Sequence, residues 1–436
     1  MLPVLDIRSR EGRERLMRIR GRMALQEREA GRAREKVLAI LRDIRRNGDA
    51  ALFRYTRRFD GWPPSPRTIA VTGREFRAAR RRIPGKLLRA LRKSIRNVRD
   101  YQNHILPVPP RCFIRGGLTI TPREEPLARV AVYAPGGRAA YPSSVVMCAI
   151  PARVAGVPDV VLATPARGGR VNDTVLVAAL ECGIREVFKI GGAQAIGALA
   201  FGTKTVPRVD KIVGPGNLYV ALAKREVFGE TDIDMVAGPS EILVIADRSA
   251  HPDVIAADLL AQAEHDPLAS AVLVTTDPLL ATETAACVEM QLAILPRREL
   301  AEASLARFGA VFLVKDLAEA AALANAVAPE HLEIMTRNPR AIARRIRNAG
   351  AVFLGHHTPE TLGDYLAGPS HVLPTGGTAR FASGLSVHHF LRRRADIESS
   401  GRTLAAMADD LVTLARAEGL EAHARSAAIR DCRGKS

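Results

Sequence analysis

From residue 129 onward the chain repeats one pattern: a short β-branched run, a turn containing Gly, Pro or Asn, then residues at helical spacing. "RVAVYAPGG", "DVVLATP", "EVFKIGG" and "DKIVGPGN" form a first series, and "EILVIAD", "SAVLVTTD", "GAVFLVKD" and "GAVFLG" form a second. Strands that alternate with helices pair in parallel through right-handed crossovers, so two consecutive α/β units of about 100 residues each are predicted. Residues 1 to about 105 read as amphipathic helices, "LPVPP" at 106–110 as a linker, and the segment after about 385 as helix again.

Length agrees with more than one unit, because 436 residues exceed what a single core normally holds. No apolar run approaches the ~20 residues needed to cross a bilayer, and the basic N-terminus lacks the apolar stretch of a secretory signal. It reads as an arm or helix, and no membrane association is expected. The net charge of +18 raises the question of nucleic acid. Stretches such as "GRAREKVLAILRDIRRNG" spread their arginines at helical spacing, as solvated faces do, and aromatic residues make up only 4% of the chain. Few platforms for base stacking follow, and no nucleic-acid partner is expected. The five cysteines, Cys112, Cys148, Cys182, Cys287 and Cys432, are scattered, without CxxC spacing. That set points to a reducing cytoplasm and away from a disulfide frame or a thiolate zinc site.

Ligands of open α/β sheets bind beyond the carboxyl ends of the strands, which makes the turns "IGGAQAIGALAFG" and "IVGPGNLYV" candidates for nucleotide contact. Neither is a GxGxxG fingerprint. "LLAQAEHDPLAS" places Gln262 and His265 at i, i+3 on a helix that Pro267 must end. Eight of the ten histidines follow residue 264. In "NAVAPEHLEIMT", Glu330 and His331 stand side by side, a pair able to divide proton transfer. They precede a strand-like run, where α/β sites are seldom built, so that run is either antiparallel or a loop. Residues 361–387 are too rich in Gly, Pro and Thr for regular structure and carry Asp364 and His371. "AEGLEAHARS" adds Glu418 and His423.

From about residue 38 to 430 the sequence resembles the histidinol dehydrogenase family, through strings that include "GDAALFRYTRRFD", "KIGGAQAIGALAFGT", "VDKIVGPGNLYVALAK", "DLLAQAEHD", "APEHLEIM", "GDYLAGPSHVLPTGGTARFASGLSV" and "EGLEAHARS". The resemblance implies a zinc ion held by Gln262, His265, Asp364 and His423, and oxidation of L-histidinol through the aldehyde to L-histidine with two NAD+. It implies that zinc holds the substrate by its amine and imidazole nitrogens, that His331 takes the hydroxyl proton, and that Glu330 activates water. Ser240, His371 and Glu418 match substrate-contacting positions, beside Gln262, His265, His331, Asp364 and His423. Tyr133, Gln194 and Asn217 match positions contacting NAD+. The family forms homodimers that exchange the C-terminal region, so a shared site is expected. On this basis the chain divides into a helical arm (1–28), a first Rossmann-like α/β domain (29–132 with 242–385) carrying most metal and catalytic residues, a second (133–241) contacting NAD+, and a dimer-swapped helical tail (386–436).

Ala134, Cys148 and Ser370 depart from the family pattern, and Ser370 neighbours His371. A relative with the same zinc and NAD+ chemistry but another small polyol, such as sulfopropanediol, is the nearest alternative. Glu418 favours histidinol, since a carboxylate attracts an imidazole or ammonium group and repels a sulfonate. A basic scaffold with a vestigial site is the reading from another class, and the presence of every implied ligand argues against it.

Overall fold

The computed structural model describes residues 2–23, 30–108, 110–136 and 140–432. They form two compact units, residues 1–105 with 128–389, and residues 106–127 with 390–436.

The larger unit contains both expected parallel sheets. The first series gives five strands in the order Val187–Phe188, Asp159–Ala163, Arg129–Tyr133, Lys211–Val213 and Asp232–Ile233. The second gives Ala310–Leu313, Ser270–Thr275, Glu241–Ala246, His331–Met335 and Ala351–Leu354, again all parallel. Glu241–Ala246 and Ser270–Thr275 are buried at every position, as parallel strands covered on both faces must be.

Residues 2–23 differ from the helical arm expected over 1–28. Val4–Asp6 is a sixth strand, parallel to Ala310–Leu313 at the edge of the second sheet, and the helix Arg10–Arg20 follows, capped by the Ser9 side chain. Three residues are too few for strand periodicity to register, and the pairing partner lies some 300 positions away. Residues 24–28 of that arm lie outside the described residues. The helices within 29–132 also pack differently from the expected grouping. Val37, Ile40, Leu41 and Ile44 bury their stripe in the core of the five-stranded sheet, against Ile196 and Leu199.

In the smaller unit, Phe113–Arg115, Leu118–Pro126 and Leu391–Ser399 form an antiparallel sheet, followed by the helices Gly401–Ala417 and Glu421–Cys432. A linker and a helical tail had been expected here. The strand "LRRRADIES" shows only a sparse apolar alternation, through Leu391, Ala395 and Ile397, and cross-strand ion pairs support it: Arg392 with Glu125 at 2.8 Å, Arg123 with Asp396 at 2.9 Å, and Arg393 with Glu124. Among the described residues no helix is long and apolar enough to cross a membrane.

Candidate active site

The six-stranded sheet buries an unusual set of polar residues near the amino-terminal ends of its central strands: Glu241, Gln262, Glu330, His331, Glu333 and Glu360. His331 opens the strand His331–Met335, which runs parallel to both neighbours. The expected choice between an antiparallel strand and a loop therefore does not hold. The pair sits at the amino edge of a parallel sheet, the edge opposite to the one general to open α/β sites. The chain enters through Ala328, whose φ of 53° and ψ of 60° make it the only non-glycine with positive φ among the described residues. Such a conformation is strained and persists only where surrounding packing enforces it. Gly350 closes the other side: a Cβ there would lie 2.6 Å from the Glu330 carbonyl oxygen.

The main chain of Glu241 holds both candidate proton-transfer groups. Its N–H donates to Glu330 Oε2 at 3.0 Å, and its carbonyl oxygen lies 3.2 Å from His331 Nδ1. A carbonyl can only accept, so Nδ1 carries the hydrogen and the lone pair resides on Nε2. Nε2 is buried without a partner. Burial lowers the imidazole to about 4, so the ring is neutral at neutral pH, while burial and the neighbouring Glu241 charge push the Glu330 carboxyl well up. Glu241 is itself fixed by the buried Arg22 guanidinium at 2.6 Å and by the Gly376 N–H at 2.7 Å.

Gln262, fully buried at the end of the helix Pro252–Ala263, sets its side-chain amide against the two carboxyl oxygens of Glu360, which its nitrogen meets at 3.0 and 3.1 Å when the amide is turned to donate to them. Glu360 and Asp364 lie one turn apart on the helix Glu360–Tyr365, and together with His331 they bring potential ligand atoms within 4.8 Å of one another. Glu360 Oε1 is 3.7 Å from His331 Nδ1. His371 donates from Nδ1 to the Asp364 carbonyl at 3.1 Å and places Nε2 3.4 Å from Ser144 Oγ. His265 is exposed in the turn after the helix, and burial lowers the His371 imidazole as it lowers His331. Ser240 is half-buried just ahead of the strand Glu241–Ala246.

Sequence reasoning missed Glu360, Glu241 and Arg22. For Glu360 a signal existed, its i, i+4 spacing from Asp364 in "PETLGDY". Nothing local marks Arg22 or Glu241.

Behind the site, Glu333 faces Asp258, the residue one turn before Gln262, and accepts the Glu360 N–H at 2.7 Å. Burial raises both carboxyls, and the Asp258 charge raises Glu333 further, so the pair retains a proton when folded. A carboxyl raised by folding supports the folded state least once pH passes from its unfolded value near 4.5 up through its folded one. Stability against urea is expected to fall from pH 6 to pH 9 in the wild type and to fall less in Glu333→Gln. Parallel pH profiles for the two proteins would rule this out.

The turns of the five-stranded sheet surround a separate cavity of about 700 Å3 at its carboxyl edge, lined by Tyr133, Gln194 and Asn217 among others. The Tyr133 hydroxyl accepts the Gly192 N–H at 3.0 Å, and Asn217 caps the helix Leu218–Val227 through the Val220 N–H at 3.1 Å. Glu418 and His423 belong to the smaller unit. There they line a cleft with Leu411, Leu414 and Leu420.

A family model described as histidinol dehydrogenase matches residues 23–431. Curated proteins named histidinol dehydrogenase from Moorella thermoacetica and Rhizobium meliloti are each 50% identical, the first over 99% of this chain and 100% of its own length, the second over 90% and 91%. A crystal structure of histidinol dehydrogenase from Elizabethkingia anophelis superimposes with a TM-score of 0.87 at 35% identity, covering 92% of this chain and 93% of that one. Agreement of sequence and fold along nearly the whole length, on a scaffold that gathers buried carboxyls and histidines at one sheet edge, shows that the chain belongs to the histidinol dehydrogenase family.

Proposed function

We propose that this oxidoreductase converts L-histidinol by way of L-histidinal to L-histidine, the closing steps of histidine biosynthesis, with two NAD+ and one zinc ion per site. The observation that carries the reading is the buried His331 Nε2, a lone pair without a partner beside a carboxyl that burial has made more basic. Gln262, His265, Asp364 and His423 are the zinc ligands in this reading. The amide oxygen of Gln262 and the Asp364 carboxylate are donors that suit a borderline divalent ion. When bound, zinc anchors the amine and imidazole nitrogens of the substrate, and NAD+ accepts a hydride in each oxidation.

His331 takes the hydroxyl proton at Nε2, its ring held by the Glu241 carbonyl. Glu330 removes a proton from the water that attacks the aldehyde. Ser240, His371 and Glu418 contact the substrate, and Tyr133, Gln194 and Asn217 contact the dinucleotide. The protein works in the cytoplasm as a homodimer whose sites draw on both copies. The buried free thiols of Cys148 and Cys182 suit that reducing compartment.

NADH formation tests the reading. L-histidinol is expected to yield two NADH per molecule, a sulfonated propanediol none, and chelation is expected to abolish turnover. Elemental analysis is expected to find about one zinc per chain, lowered more by His265→Ala than by Gln262→Ala, because a neutral carbonyl binds more weakly than an imidazole. Full metal content in His265→Ala, or faster oxidation of the diol, would overturn it.

A further inference from the structure

Asp60 ends the helix Asp49–Asp60 and lines the 700 Å3 cavity at the carboxyl edge of the five-stranded sheet. Its carboxyl faces the backbone N–H of Gly191, in the turn after the strand Val187–Phe188. One of its oxygens, Oδ2, is buried and has no partner. A buried carboxylate oxygen without a donor is costly, and burial accordingly pushes this carboxyl up to about 6. Any group that brings a hydrogen to Oδ2 relieves that cost.

The rest of the cavity wall indicates what such a group belongs to. Tyr55 and Phe59 stack with ring centres 5.9 Å apart and planes within 9°, offering flat apolar surface to a heteroaromatic base. Lys36, Arg58 and Arg167 also line the cavity and carry the positive charge that a diphosphate requires. Asp60 is the acid among them. Beside a dinucleotide, a buried acceptor of this kind matches a ribose hydroxyl and repels a phosphate placed there.

We propose that Asp60 accepts a hydrogen bond from the 2′-hydroxyl of the adenosine ribose and so selects NAD+ over NADP+. The inference rests on the reading of this cavity as the dinucleotide site. Asparagine is the informative substitution. Its carbonyl oxygen can still face the Gly191 N–H, while its amide nitrogen replaces the acceptor Oδ2 by a donor.

Calorimetric titration of the zinc-loaded protein, without histidinol, separates the outcomes. Wild type is expected to bind NAD+ more tightly than NADP+ or the 2′-deoxyadenosine analogue of NAD+. Asp60→Asn is expected to weaken NAD+ by about 10- to 100-fold, the loss of one charge-assisted hydrogen bond, to leave the 2′-deoxy analogue nearly unchanged, and to narrow the gap to NADP+. A variant that binds NAD+ within about twofold of wild type, or loses the 2′-deoxy analogue as severely as NAD+, overturns the proposal. Should the variant fail to fold, as judged by its melting curve, the wild-type comparison of NAD+ with its 2′-deoxy analogue decides alone, and equal affinities overturn it. A wild-type protein that binds no dinucleotide at all refutes the reading of the cavity, a failure distinct from that of Asp60.

Discussion

His331→Asn is expected to lower turnover about 10²- to 10⁴-fold, the usual cost of losing a general acid–base, while zinc content stays near that of the wild type. Asparagine can still donate to the Glu241 carbonyl, but offers nothing basic at the position of Nε2. The effect should fall on both half reactions, histidinol to aldehyde and aldehyde to acid, and pre-steady-state NADH formation from each substrate measures them separately. The same variant tests whether two copies share each site. His423→Asn is expected to be nearly inactive through loss of the fourth ligand proposed for zinc. If His423 serves the site of the partner subunit, a mixed dimer holds one site with both lesions and one with neither. Random pairing makes half the dimers mixed, so about a quarter of the sites should recover on co-expression. Co-expressed protein no more active than its parents would show that His423 acts within its own chain.

Asp234→Ala is expected to be the most destabilising single change near the turns of the five-stranded sheet. Lys224 and Asp234 form an ion pair with side chains 2% and 0% exposed. Asp234 also accepts the Gly214 N–H at 2.6 Å, and Lys224 donates to the Gly214 carbonyl at 3.0 Å, so the pair clamps the turn that leads to Asn217. Gly214 has a φ of 112° and lies so near Tyr133 that a Cβ would stand 2.2 Å from its carbonyl oxygen. Removing the carboxylate leaves a buried ammonium without its counter-charge, which costs about 3–5 kcal/mol. Urea unfolding of Asp234→Ala should show that loss, and Lys224→Met combined with Asp234→Ala should recover part of it, because no charge then remains to be buried. A single variant within about 1 kcal/mol of wild type would contradict the account.

Much of the candidate site was legible because its residues announce themselves locally. Gln262 lies at the end of the helix Pro252–Ala263, though His265 stands past that end in the turn before Pro267 and not on the helix as expected, and Glu330 and His331 are neighbours. The direction of their strand was not legible, because strand direction depends on which segments pair. His331 lies beside Ile242 and Ala351, and the stretch "HLEIM" names neither.

What the sequence by itself determined are the properties that adjacent residues decide: the alternation of β-branched runs, turns and helices, hence two parallel sheets, and the helix ends and turns that carry most candidate site residues. Tertiary structure alone decided the rest. It added Val4–Asp6 to a sheet whose other strands begin at Glu241, built a strand from "LRRRADIES" by pairing its arginines with acids some 270 positions earlier, and joined Arg22 and Gly376 through Glu241 to Glu330 and His331. The physical reason lies in range. Periodicity and turn chemistry act over a few residues, whereas burial of a charge or an unpaired acceptor such as Asp60 Oδ2 depends on which distant segments pack around it.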